Sequence, residues 1–224
     1  MVIIVRAKNM GKTAKKLYLR LNKLGIRTKL IKDNPLLISW GKKIQFGLND
    51  KAIYNKYLQL KKVSKAGILT PKVYDNFDEI DKFPVVGRNY HHFGAKDFVF
   101  IKSPSEYVKR DYYLKYIRKI GEYRIHYCLG NFYVCKKVKK DDNANLIIRN
   151  HKNGWRFVTY EGVYKNDLIE FVKRVVSALN YNFGAIDCIM DKKHRLYFLE
   201  MNSAPGLDNK RLDFYVNCFK RRLK

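Results

Sequence analysis

Acidic residues are scarce in this chain: 20 Asp and Glu stand against 47 Lys and Arg among 224 residues, a formal charge of +27. That imbalance favours a polyanionic partner such as nucleic acid, an anionic membrane or an acidic polymer. A lysine-rich chain that is also rich in Asn, Ile and Tyr can arise from compositional bias without selection for binding, and this alternative stays open. The distribution favours binding. Residues 1–75 hold 18 basic residues and three acids, a balance of +15, and codon bias accounts for abundant lysine better than for missing Asp and Glu.

Other absences narrow the class. No apolar run approaches the roughly 20 residues of a membrane span. The opening "MVIIVRAKNMGK" lacks the layout of a secretory signal. A soluble, cytoplasmic protein without a membrane partner is expected. The four cysteines, Cys128, Cys135, Cys188 and Cys218, form no CxxC pair, so neither a zinc site nor a disulfide framework is suggested. There is no internal repeat and no low-complexity linker. What is present, 46% hydrophobic and 14% aromatic residues, is the composition of a folded protein long enough for one domain or two small packed lobes.

"VIIV" (2–5) reads as a short buried strand, and "TAKKLYLRLNKLG" as a helix with Leu17, Leu21 and Leu24 at helical spacing and Gly25 at its end. "RTKLI" and "LLISWG" suggest further strands, giving a β-α-β opening. "KAIYNKYLQLKKVSKAG" is a second amphipathic helix closed by Gly67. Beyond residue 75, "FPVVGRNYHHFGAKDFVFI" reads as strand, glycine-containing turn, strand. "YYLKYI" and "EYRIHYCLGNFYVCKKVKK" follow, with Leu-Gly-Asn as a hairpin turn. The helix "NDLIEFVKRVVSALN" precedes the strands "FGAIDCIMD" and "LYFLEMN" across a Lys-Lys-His-Arg turn.

Two motifs invite chemistry. "MGKT" (10–13) between strand and helix suggests a phosphate-binding P-loop, but that loop needs a glycine where this chain has Arg6, so it is rejected. In "YFLEMNSAPGL", Glu200 and Asn202 share one face of a strand while Leu199 and Met201 share the other. If that strand pairs with "GAIDCIMD", Asp187 and Glu200 meet on one sheet face. Oxygen ligands of this kind suit Mg²⁺ completed by nucleotide phosphates. A carboxylate pair neutralised by nearby Lys or Arg is the equal alternative.

The combination "FGAIDCIMD…LYFLEMNSAPGL" resembles the closing signature of the ATP-grasp superfamily, and most of all its carboxylate–amine ligase branch, which includes ribosomal-protein glutamate ligases and small phage relatives. The resemblance covers roughly residues 80–210. It implies an α/β (α+β) ATP-grasp fold: an N-terminal α/β lobe (1–75), a small lid (76–117) and a C-terminal antiparallel-sheet lobe (118–224), with nucleotide between them. By position it makes Asp187, Glu200 and Asn202 the metal ligands. Lys115, Tyr116 and Ile117 fall where backbone groups meet the adenine. Glu122 and Arg124 occupy an acid-x-Arg position whose arginine faces the transferred phosphoryl group, and "IIRNHKNGW" matches an Arg-Asn segment at Arg149 and Asn150. In the lid, Arg88 stands where a strand-borne lysine is usual, an inequivalent exchange, and the loop offers only Gly94 with Lys96 beside it. His91 and His92 read as exposed lid residues without a role.

The implied activity is ATP-dependent amide formation through an acyl phosphate, releasing ADP and phosphate. ATP and magnesium are the implied cofactors, two ions in number, with manganese as a substitute. A carboxylate and an amine are the implied substrates; the +15 balance of residues 1–75 adds the expectation that one of them is carried on a polyanion such as nucleic acid. Two rivals remain open. One is a kinase on the same scaffold that stops at phosphorylating a hydroxyl; the other is a basic nucleic-acid-binding protein with a vestigial nucleotide site.

Overall fold

The computed structural model describes residues 4–5, 12–23, 37–38, 40, 47–91 and 97–222. At the amino end, β1 (Ile4–Val5) and β2 (Leu37–Ile38) pair in parallel, with α1 (Lys12–Lys23) as the crossover. This is the arrangement a β-α-β pattern requires. The strand expected at "RTKLI" lies outside the described residues. Next comes α2 (Lys56–Lys65), capped by the Asn55 side chain, which accepts a bond from the Leu58 amide at 3.0 Å.

Two antiparallel sheets follow. The smaller holds β3 (Val73–Tyr74), β4 (Val85–Arg88), β5 (Val99–Ile101) and β6 (Tyr112–Lys115) in the order β3-β6-β4-β5. The larger holds β7 (Lys119–Cys128), β8 (Asn131–Lys139), β9 (Trp155–Thr159), β10 (Phe183–Asp191) and β11 (Leu196–Asn202) in the order β11-β10-β7-β8-β9. Two further helices, α3 (Lys165–Leu179) and α4 (Asn209–Arg222), complete the chain. The β7–β8 turn is centred on Leu129 (φ 49°) and Gly130 (φ 85°), the double positive φ that a two-residue hairpin needs.

The larger sheet is covered on one face by α3. Its Leu168, Phe171, Val172, Val175, Val176 and Leu179 form one core with Leu60 and Val63 of α2 and with Tyr123, Ile125 and Ile186 of the sheet. A second core joins Leu17 and Leu21 of α1 and Trp40 to Leu212, Tyr215, Val216 and Phe219 of α4. Residues 1–75 are thus shared between two cores, α1 in one and α2 in the other. Neither α4 nor β9 emerges from the sequence analysis. The apolar spacing of α4 at i, i+3, i+4 and i+7 is nonetheless legible.

β11 is an edge strand of its sheet, and an edge leaves backbone donors and acceptors in search of partners. The buried Gln59 of α2 supplies them. Its side-chain oxygen accepts from the Met201 N–H at 2.9 Å, and its amide nitrogen donates to the Met201 carbonyl at 3.0 Å. The side chain thus replaces a neighbouring strand at the residue between Glu200 and Asn202. Gln59→Leu would leave both backbone groups buried and unpaired, and is expected to cost about 2–4 kcal/mol. Urea unfolding checks this: the midpoint should fall with the m-value unchanged. A loss of stability too small to resolve would sink the account.

Candidate active site

A cleft of about 320 Å³ opens between the two sheets, beside the amino-terminal end of α2. One part of its wall is apolar, with Val86, Leu114, Ile117, Ile189 and Leu199; the rest is charged. Seven basic side chains (Lys56, Arg88, Lys115, Lys119, Arg124, Lys137 and Arg149) face three acidic ones, Glu122, Asp187 and Glu200. An apolar slot joined to a strongly cationic one suits a ligand with a flat base at one end and several negative charges at the other.

The acids are placed by strand register. Asp187 of β10 lies opposite Glu200 of β11 on one side and Arg124 of β7 on the other. The three side chains therefore form a row across the sheet, on the face opposite α3. Asp187 faces Glu200 while Cys188 faces Phe198, so β11 bulges here with Leu199 as the extra residue, which lines the cleft beside Glu200 rather than sharing the face of Met201 as expected. Arg124 binds Asp187 through both prongs, Nε to Oδ1 at 2.7 Å and Nη2 to Oδ2 at 2.6 Å. Lys56 Nζ pairs with Glu200 Oε2, and Asn202 Nδ2 donates to Glu200 Oε1 at 2.8 Å. Asn202 thus joins the cleft through Glu200 rather than lining it.

A second charge group sits along the same face. Glu122 is buried and bracketed by two lysines: Lys137 pairs with Oε1, and Lys119 Nζ lies 2.9 Å from Oε2. Lys137 also donates to the Arg149 carbonyl at 2.7 Å. Two arginines are held flat by β9. Arg124 lies 4.5 Å above the Phe157 ring and Arg149 lies 4.4 Å above the Trp155 ring. Because Trp155 and Phe157 are two residues apart, they project from one face of their strand.

Burial and charge pull the carboxyl pKa values in opposite directions. Burial pushes Glu200 up, but Lys56, the Asn202 amide and Arg124 more than reverse it, bringing the pKa down from the usual 4.5 to about 2. Glu122 behaves alike: desolvation raises it, and Lys137 and Lys119 together hold it below the ordinary range. Both stay ionised at neutral pH. Burial lowers the Lys119 pKa, and Glu122 only partly restores it.

Of the residues singled out in the sequence, Arg88, Lys115, Tyr116, Ile117, Glu122, Arg124, Arg149, Asn150, Asp187 and Glu200 all border this one cleft. Lys96, with His92 and Gly94, lies outside the described residues, and His91 is exposed. Arg88 is tied to Asp97, Nε to Oδ2, at 3.1 Å. The Asn150 side chain accepts from the Asn153 amide at 2.9 Å, so its oxygen caps a turn. The Lys115 and Tyr116 N–H groups are donated to Lys72 and Pro84 carbonyls. The sequence analysis missed Lys56, Lys119 and Lys137, as well as the aromatic plates of β9. Lys137 follows from the β7–β8 register, one step beyond the Tyr123–Lys136 pair, whereas Lys119, three residues before Glu122, reaches it beside a register slip in β7 that the sequence does not show.

The donor set fits magnesium. Asp187, Glu200 and Asn202 offer hard oxygens, and among the described residues no group of three or more His, Cys, Asp or Glu could enclose an ion alone. A magnesium ion here would need oxygens from a bound nucleotide and water to complete its shell, as is usual for this metal.

No protein-family model matches the chain, and no curated protein matches it. Solved structures do. The D-alanine–D-alanine ligase of Bacillus anthracis superposes with a TM-score of 0.73 at 15% identity, covering 99% of this chain and 98% of that one. The macrocyclase MdnC of Microcystis aeruginosa, bound with precursor peptide MdnA, gives 0.64 at 13% identity over 99% of both chains. A RiPP-associated ATP-grasp ligase of Chryseobacterium gregarium, in complex with ADP and a leader and core peptide, gives 0.61 at 19% identity, covering 99% of this chain and 77% of that one. With two antiparallel sheets closing on a cationic cleft, the chain has the ATP-grasp fold.

Proposed function

We propose that the protein is an ATP-dependent carboxylate–amine ligase. The observation that carries the reading is the cleft itself, where an apolar slot adjoins seven cations and a strand-borne Asp, Glu and Asn. The ATP-grasp ligases that share its fold support the same chemistry. The γ-phosphoryl group of ATP passes to a substrate carboxylate oxygen and ADP leaves. An amine then attacks the acyl carbon, forming the amide as phosphate departs.

In this reading Asp187, Glu200 and Asn202 would hold magnesium, two ions or their manganese equivalents, and the metal would supply neutralisation of the triphosphate charge. Arg124 and Arg149, already flattened on Phe157 and Trp155, face the transferring phosphoryl group and the acyl phosphate. Lys56, Arg88, Lys119 and Lys137 supply further positive charge to the phosphates, with Lys96 a lid cation. Ile117 and its neighbours hold the base. Since the N–H groups of Lys115 and Tyr116 are already spent, the base edge is read by other groups of this segment. The smaller sheet acts as the lid over residues 76–117 and excludes water from the acyl phosphate.

The similar structures that hold precursor, leader or core peptides support a peptidic substrate on one side of the reaction. The charge of +27 supports a polyanionic carrier for the other, nucleic acid foremost. The free cysteines support a reducing compartment such as the cytoplasm. Among the described residues no helix is long and apolar enough to cross a membrane.

The test is ADP release with pooled amino acids, with and without peptide or nucleic-acid acceptors. ADP and phosphate formed only when carboxylate and amine are both present is the expected result. AMP and pyrophosphate would overturn it, and a phosphorylated hydroxyl would establish the kinase instead. Asp187→Asn and Glu200→Gln should each cut magnesium-dependent turnover at least 100-fold with circular dichroism unchanged. Arg124→Ala should lose about 10²–10³-fold in kcat, as removal of an electrostatic stabiliser does.

Both metal-ligand carboxylates carry a protein cation, so phosphates must draw Lys56 and Arg124 away before an ion can replace them. Lys56→Met removes one such cation. The Glu200 pKa should then rise from about 2 toward its usual 4.5, because burial remains and its main opponent is gone. In the wild type the folded value lies below the unfolded one, so ionised Glu200 adds stability above pH 4.5 that is lost as pH falls toward 2. Carbon-13 NMR titration of the glutamate carboxyls reads the shift. A Glu200 that still titrates near 2 in the variant would refute the pairing.

A further inference from the structure

Outside the cleft, the packed pair α1 and α4 carries a dense group of exposed cations. α1 carries Lys12, Lys15, Lys16, Arg20 and Lys23, all exposed, and no acid. It packs on α4 through Leu17 and Leu21 against the core that holds Leu212, Tyr215, Val216 and Phe219. On α4, Lys210, Lys220 and Arg221 are exposed. Its one acid, Asp213, is neutralised by Arg20 at 3.1 Å across the helix pair.

Compositional bias would load every helix alike, and it does not. α3, on the far face of the larger sheet, balances Lys165, Lys173 and Arg174 with Asp167 and Glu170, and two of those cations are paired, Lys165 with Glu161 and Lys173 with Glu170. On α2, Lys56 and Lys61 are matched by Glu200 and Asp75, which leaves two exposed lysines, Lys62 and Lys65, outside the described ion pairs. On α1, the described ion pairs engage only Arg20. We infer that the α1–α4 face is a docking surface for the phosphate backbone of a nucleic acid. It takes no part in lining the cleft, so it stands whether or not the ligase reading does; if both hold, it presents the polyanionic substrate.

The chemistry favours nucleic acid over a membrane. The apolar sides of both helices are consumed in the core, and among the described residues of the pair only Leu19 is a large exposed hydrophobic, at 49%. An interfacial membrane helix needs an apolar face to insert. A rigid helix of 12 residues is about 18 Å long, a length over which duplex DNA presents roughly ten phosphate charges. Bound phosphates release counterions, so with about six contacts the affinity should fall roughly 10³-fold between 50 and 200 mM salt.

The test compares the full-length protein with two quadruple variants by fluorescence anisotropy on duplex DNA, single-stranded DNA and RNA. One replaces Lys12, Lys15, Lys16 and Lys23 by Gln. The other, of equal charge change, replaces Lys165, Lys173, Arg174 and Lys192. The α1 variant should lose at least 100-fold in affinity at 100 mM salt, and its salt slope should shrink by about 3. The control should lose less than 10-fold. Equal losses in both variants would make the charge compositional and overturn the inference, as would equal wild-type affinity for poly-glutamate. Tighter binding to phosphatidylserine vesicles than to any nucleic acid would transfer the surface to a membrane. ADP release with pooled amino acids and peptide or nucleic-acid acceptors, measured on the same preparations, keeps the two readings apart: no ADP with any acceptor, with binding intact, defeats the ligase alone.

Discussion

The pairing of Arg124 with Asp187 across two adjacent strands is the contact around which the site is arranged. Both prongs of the guanidinium are engaged, at 2.7 and 2.6 Å, with the carboxylate side chain only 12% exposed. Such a pair contributes little net stability, since desolvation offsets most of the attraction. Its consequence is positional. It holds an anionic ligand group and a cationic one side by side, aimed into the same cleft, in a sheet whose register fixes both.

The neighbouring elements serve that row. Gln59 secures the edge strand at Met201, between Glu200 and Asn202, by pairing with both of its backbone groups. Phe157 and Trp155 hold Arg124 and Arg149 flat, which reduces the freedom two long side chains would lose on binding phosphate. Lys119 and Lys137 keep Glu122 ionised in a buried position. Each acid in the cleft therefore has its own cation and Glu122 has two; Arg88 is tied to Asp97, and of the seven cations only Lys115 and Arg149 enter no described ion pair.

The cations of the cleft and those of the α1–α4 face are physically different. In the cleft, cations are half-buried, paired with acids and flattened on aromatic rings, which suits a small ligand bound in one geometry. On α1 and α4 they are exposed on long flexible stems, which suits a repeating backbone read by charge rather than shape. A single net charge conceals this division, because it counts a lysine under Glu200 and a lysine in solvent alike.

The sequence by itself determined most of the elements and, through the ATP-grasp resemblance, many of the residues that border the cleft. The tight Lys-Lys-His-Arg turn marked "FGAIDCIMD" and "LYFLEMN" as neighbouring strands, and the placement of Glu200 and Asn202 on one face followed from the pleat, a local property of the backbone. The expectation that Asp187 and Glu200 would meet needed only a short turn between their strands, and they lie directly opposite each other. The choice between metal ligands and salt-bridged acids was left open because it depends on what comes near them from elsewhere. Only the tertiary structure decided that Lys56 reaches Glu200 from a helix 144 residues earlier in the chain, that Lys119 and Lys137 bracket Glu122, and that β9 supplies ring faces for two arginines. These are long-range contacts made by exposed-looking residue types. Lysine, arginine and tryptophan in a one-dimensional pattern carry no record of which sheet face, which helix end or which ring they will finally meet.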